Sequence, residues 1–208
     1  MRRRYRSHLY VVGAAAAIGI AVGIAAALIH TSHSPAAARP SPLQAQITWR
    51  EGAKPAPGLT LRDQRGASIG LRSLRGQVVL LTFLDSRCKS QCPIEGRVIR
   101  DVLRRVQGAH AVTIVVSVDP WADTPTSARS FAAHSGWSGD WHWLLGSKAA
   151  LRPIWRAYDI GVKRTPGDIL HSTALYVIDQ RGDLRAGFLF PFSAQAVARN
   201  VRSLASGA

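Results

Sequence analysis

The stretch Val78 to Gly96, VVLLTFLDSRCKSQCPIEG, decides how the rest of the chain is read. Val78 to Phe83 is an apolar run of the kind seen in a strand covered on both faces of a sheet, and such strands belong mostly to α/β folds. A short polar turn follows, carrying the chain's only two cysteines, Cys88 and Cys92. Pro93 suits the first turn of a helix, where its missing N–H costs nothing. Beyond it Val98, Ile99, Val102, Leu103 and Val106 form an i, i+1, i+4, i+5, i+8 stripe, the core-facing side of that helix. The order is strand, reactive loop, helix. Partial positive charge at the helix N-terminus, with Arg87 and Lys89 flanking Cys88, predicts a lowered thiolate pKa and a reactive pair.

Composition narrows what that pair can be. With 208 residues and 47% hydrophobic content, the chain holds one packed domain plus appendages and has no need of a disulfide framework. Residues 1–8, with Arg2, Arg3, Arg4 and Arg6, read as a cytoplasmic basic segment, and the uncharged residues 9–29 are long enough for a transmembrane helix. The positive-inside rule then predicts a single-pass cell-membrane protein with a cytoplasmic N-terminus and an extracytoplasmic domain. Small residues at Ala36 to Ala38 offer the rival reading, a cleaved signal peptide; the length of the apolar run favours an uncleaved anchor. Residues 30–56, rich in Ser, Pro and Ala, read as a flexible linker, and residues 57–208 as the domain. From Arg50 onward 22 Lys and Arg face 12 acids, a net of +10. Outside the cytoplasm nucleic acid is not the expected partner; anionic lipid or an acidic docking face suits that charge, as does a plain basic solvated surface.

Within the domain, Leu59 to Leu61 and Ser68 to Leu71 flank the turn signal Asp63-Gln64-Arg65-Gly66. Ala111 to Val118 reads as a second buried strand, and Thr124-Pro125 as the N-cap and first residue of a helix reaching about His134. A short strand is expected over Trp141 to Leu145 and a helix over Lys148 to Tyr158. Ala174 to Ile178 and Leu184 to Phe188 form a hairpin around Asp179 to Asp183, and Ala194 to Leu204 closes as a helix. This order predicts a thioredoxin-like α/β fold, a central mixed sheet flanked by helices.

Three ordered motifs strengthen that reading. TFLDSRCKSQCP resembles the C-x-x-x-C-P of the SCO/SenC family of membrane-anchored copper proteins, SVDPWADTP its S-V-D-P-x-x-D-T-P, and LHSTALYVIDQRGDLR its H-S-x-x-x-Y-x-I-D-x-x-G-x-L-R. The resemblance covers Pro57 to about Ala205. It implies a thioredoxin-like fold and copper bound by Cys88, Cys92 and His171, used in assembling the dinuclear copper centre of cytochrome c oxidase. The implied partners are a cytochrome c oxidase subunit or another copper protein, and a thiol reductant. One departure stands out: most members have Pro-Asp after the first cysteine, where this chain has Lys89-Ser90. Exchanging an acid for a cation disfavours bound Cu²⁺ and moves the site toward Cu(I) or redox work.

The residue chemistry agrees. Two thiolates suit Cu(I) and an imidazole adds affinity for Cu(II). His171 lies just before the strand Ala174 to Ile178, whose leading end abuts the cysteine loop in a thioredoxin-like sheet. The alternative is a membrane-anchored thiol-disulfide oxidoreductase, with Cys88 and Cys92 as catalytic residues. Against it, such enzymes usually carry C-x-x-C and a cis-proline before that strand, where this chain has Thr173. A structural Cys88–Cys92 disulfide closes too short a loop to contribute much entropy. Asp85 is a candidate for bonding the loop amides, and Asp119 and Asp123 either back the site or a docking partner, or simply end the strand and cap the next helix, while His134 and His142 have no motif support.

Overall fold

A computed structural model describes residues 43–206. The strands are β1 (Ile47–Thr48), β2 (Thr60–Arg62), β3 (Ser68–Gly70), β4 (Val78–Leu84), β5 (Ala111–Ser117), β6 (Trp141–Leu144), β7 (Val162–Thr165), β8 (Asp168–His171), β9 (Ala174–Ile178) and β10 (Leu184–Leu189). The helices are α1 (Cys92–Arg105), α2 (Pro125–Ser135), α3 (Lys148–Ala157) and α4 (Ala194–Ala205), and a 3₁₀ turn spans Leu71–Leu74. Six strands form one mixed sheet in the order β1-β10-β9-β4-β5-β6, with β4, β5 and β6 parallel and β9, β10 and β1 joined by antiparallel pairing. β2–β3 and β7–β8 are separate two-stranded hairpins.

Every residue of β4 is buried, as its unbroken apolar run requires at the centre of a sheet covered on both sides. Alternation sends Val79, Leu81 and Phe83 into one core, with Leu151, Ile154, Trp155 and Tyr158 from the α3 segment. Val78, Leu80 and Leu84 enter the other, with Ile99 and Val102 of α1, Phe131 of α2 and Val197 and Val201 of α4. The α1 stripe expected from sequence thus faces the sheet. α2 begins as predicted: the Thr124 hydroxyl accepts the Ser127 amide, and Pro125 follows it.

Two features differ from the sequence reading. The folded unit starts before Pro57: Leu43 is 5% exposed, Gln44 and Asn200 exchange two hydrogen bonds, and β1 pairs with β10. Residues 43–56, read as linker, therefore belong to the domain; a two-residue edge strand leaves no periodicity to detect. The hairpin β7–β8 was not expected either. The rest of the proposed linker, the basic segment and the span at residues 9–29 lie outside the described residues. Among the described residues no helix is long and apolar enough to cross a membrane.

Candidate metal centre

Sheet topology brings the site together. β4 and β5 run parallel, so the cysteine loop leaving β4 and the Asp119 turn leaving β5 emerge at one edge. β9 is antiparallel to β4, with Thr82 opposite Leu175, so the segment preceding Ala174 arrives at that same edge. β8 ends there on His171, after a turn at Pro166-Gly167 in which Gly167 has φ +82°.

Cys92 is the first residue of α1 and is 1% exposed; Cys88, in the loop, is half-buried, and both are free thiols. The Cys92 Sγ lies 3.5 Å from His171 Nε2. His171 Nδ1 lies 3.0 Å from the Ser172 carbonyl oxygen. A carbonyl only accepts, so Nδ1 carries the imidazole proton and the Nε2 lone pair faces Cys92. Burial holds the His171 pKa below its usual value, which keeps the ring neutral, the form that ligates. Two donors bound to one ion at about 2.0 Å (N) and about 2.3 Å (S), at a near-tetrahedral angle, stand about 3.5 Å apart, so this spacing fits a shared ion. Among the described residues no three His, Cys, Asp or Glu side chains are gathered at metal-binding spacing.

A hydrogen bond from the Cys92 thiol lowers the Cys88 pKa to about 4, with further donation from the Ser90 hydroxyl and the Cys92 and Ser90 amides. The same bond, followed by burial, raises the Cys92 pKa. The lowered thiolate pKa expected at Cys88 is therefore present, but hydrogen bonds lead its causes where Arg87 and Lys89 were expected to.

Asp123 pins the loop: it accepts from the Ser86 amide (2.9 Å), the Ser86 hydroxyl and the Ser117 hydroxyl (2.5 Å). Asp85 accepts the Arg87 amide at 2.6 Å, and burial pushes its pKa up to about 7. Asp119 accepts the Trp121 and Ala122 amides and shapes the turn after β5. His134 contacts the Ser130 carbonyl within α2, and His142 pairs with Asp63 at 2.8 Å, so both are engaged in structural bonds. Sequence reasoning missed Glu95, which is fully buried one turn past Cys92 and bonded to Thr82. It also missed the β7–β8 hairpin, although Pro166-Gly167 is a turn signal.

The sequence matches the family model described as SCO1/SenC over residues 50–206. A SCO1 protein homolog of Bacillus subtilis is 27% identical over 130 residues, covering 59% of this chain and 67% of that protein. Among solved structures, Bradyrhizobium japonicum ScoI with copper bound superposes with a TM-score of 0.64 at 24% identity, over 73% of this chain and 99% of that one. BsSco, a member of the Sco family of cytochrome c oxidase assembly proteins, superposes with a TM-score of 0.66 at 23% identity, over 78% and 99%. The fold is thus the thioredoxin-like α/β fold of these proteins. With its two cysteines and one histidine converging at the sheet edge, and with the family model spanning nearly all of the folded unit, the chain belongs to the SCO1/SenC family.

Proposed function

We propose that this protein is a copper metallochaperone that binds the ion through Cys88, Cys92 and His171 and delivers it, or redox equivalents, for assembly of the cytochrome c oxidase copper centre. The observation that carries the reading is the His171 tautomer, with the Nε2 lone pair turned to Cys92 Sγ at 3.5 Å. A thiolate pair suits Cu(I) and the imidazole extends the set to Cu(II). The family membership and the copper bound in Bradyrhizobium japonicum ScoI support the same assignment. Residues 9–29 anchor the chain in the cell membrane with the domain on the extracytoplasmic side. There the pair needs a thiol reductant, because a disulfide presents no thiolate to the metal.

A second reading, thiol-disulfide oxidoreductase, is favoured by the split in the cysteine pKa values. The Cys88 thiolate attacks a substrate disulfide to form a mixed disulfide and expels one substrate thiolate. Cys92 then loses its proton and attacks Cys88, releasing the second, so two electrons leave the dithiol. Thr173 in place of a proline before β9 weighs against it.

Metal analysis of the reduced full-length chain separates the two. We expect about one copper per chain, and His171→Ala to weaken Cu(II) more than Cu(I), since two thiolates still satisfy the softer ion. Brisk insulin reduction by a chain that loses copper on dialysis would reverse the assignment.

A further inference from the structure

A cleft of about 450 Å³ opens beside the metal centre, between the cysteine loop, the turn after β5 and the tip of the β7–β8 hairpin. That volume lies in the usual range of ligand sites. Arg87 and Lys89 enter it from the loop, Arg164 from β7, and Trp121, 41% exposed, from the turn. The Arg164 guanidinium lies 4.9 Å from the centroid of the Trp121 ring, and the Lys148 ammonium 5.5 Å from the same ring, so one exposed indole holds two cations. Among the described residues none of these four cations is paired with a carboxylate. Three acids also line the cleft, and each turns an oxygen to a backbone amide; Asp85 and Asp119 are buried, so the charge exposed there is that of the cations and of Asp168.

Building on the copper reading above, we propose that this cleft docks an acidic segment of the protein that exchanges copper with this chain, a segment combining Asp or Glu side chains with a soft sulfur donor. The elements that form the cleft are those that carry the ligands. Cys88 sits between Arg87 and Lys89, and the hairpin bearing Arg164 ends on His171. A segment held by those cations therefore lies within reach of the ion, and unpaired charge around a concavity speeds its encounter. Concavity argues against a bilayer as the occupant, because a flat anionic surface meets protruding cations rather than those lining a cleft.

The test uses the full 208-residue chain in an uncharged detergent and a synthetic peptide of glutamates around two methionines. We expect binding that weakens about tenfold or more between about 50 and about 300 mM salt. The double variant Arg164→Glu, Lys148→Glu should lose about tenfold or more in peptide affinity at unchanged copper stoichiometry. Trp121→Phe should remove the fluorescence change that accompanies binding. Equal affinity for a lysine-for-glutamate peptide, or no effect of the double reversal, overturns the proposal. So does displacement of the peptide by inorganic phosphate, which marks a small-anion site, or by phosphatidylglycerol vesicles, which marks a lipid surface. Copper stoichiometry is read on the same preparation: failure to bind copper removes the metallochaperone reading, whereas copper binding without peptide binding removes only the docking site.

Discussion

Glu95→Gln should stabilise the protein, and increasingly so as pH rises. The Glu95 side chain is fully buried; its Oε1 lies 2.8 Å from Thr82 Oγ1, and its Oε2 has no partner. Thr82 Oγ1 also lies 3.0 Å from the Ala174 carbonyl oxygen. A hydroxyl has one proton and a carbonyl only accepts, so both contacts are satisfied together only when Glu95 is protonated and donates to Thr82. Burial accordingly raises its pKa from 4.5 to about 8. Between those values the folded chain holds a proton that the unfolded chain has lost. Stability is full below about pH 4.5 and is lost progressively up to about pH 8. At 1.36 kcal/mol per unit, the whole interval amounts to at most about 5 kcal/mol. Glutamine keeps the shape and a donor toward Thr82 and does not titrate. Urea unfolding of the reduced, metal-free chains should show the variant more stable by about 1 kcal/mol at pH 5 and about 4 kcal/mol at pH 8. Comparing variant with wild type cancels the other groups that titrate in this window, Asp85 among them. A stability difference that does not change with pH would refute the reasoning.

Two further outcomes are expected. Because hydrogen bonds hold the Cys88 pKa near 4, its alkylation by iodoacetamide should be nearly independent of pH between about 6 and 8, where an ordinary thiol accelerates about 80-fold; mass spectrometry should find Cys92, buried and protonated, unmodified. Gly96→Ala should destabilise the fold by about 1–3 kcal/mol in denaturant titration, since a Cβ there meets the Ser135 hydroxyl at 2.7 Å and the Phe131 ring at 2.9 Å, where α1 crosses α2.

Much of the site was legible in the chain itself. The run at Val78 to Phe83 is a buried central strand, Cys88 and Cys92 occupy the loop after it, Pro93 lies in the first turn of the helix, and the stripe from Val98 to Val106 faces the core. The signals for these are local, because burial of one face selects residue types at fixed spacing and a proline or capping threonine acts on the turn it belongs to. The approach of His171 to the cysteines was expected only from the thioredoxin-like fold, in which the leading end of this strand abuts the cysteine loop; the structure supplies the antiparallel pairing of β9 with β4 that brings it there. The hairpin from Val162 to His171 escaped because its polar strands pair with each other outside the main sheet and so lack the apolar alternation that marks a strand.

Other features depended on tertiary structure. In sequence Glu95 is an unremarkable helical acid; only the packing of α1 over β4 and β9 strips it of water and sets it against Thr82. The tautomer of His171 depends on the Ser172 carbonyl, and the contact of its other nitrogen joins residues 79 positions apart. The charges of Arg87 and Lys89 are visible in the sequence, yet hydrogen bonds from Cys92 and Ser90 lead the causes of the Cys88 shift. The division has one physical origin. Pattern records which face of an element is apolar, a property of near neighbours, whereas desolvation and hydrogen-bond direction at a site are set by groups from several elements that meet only when the chain is folded.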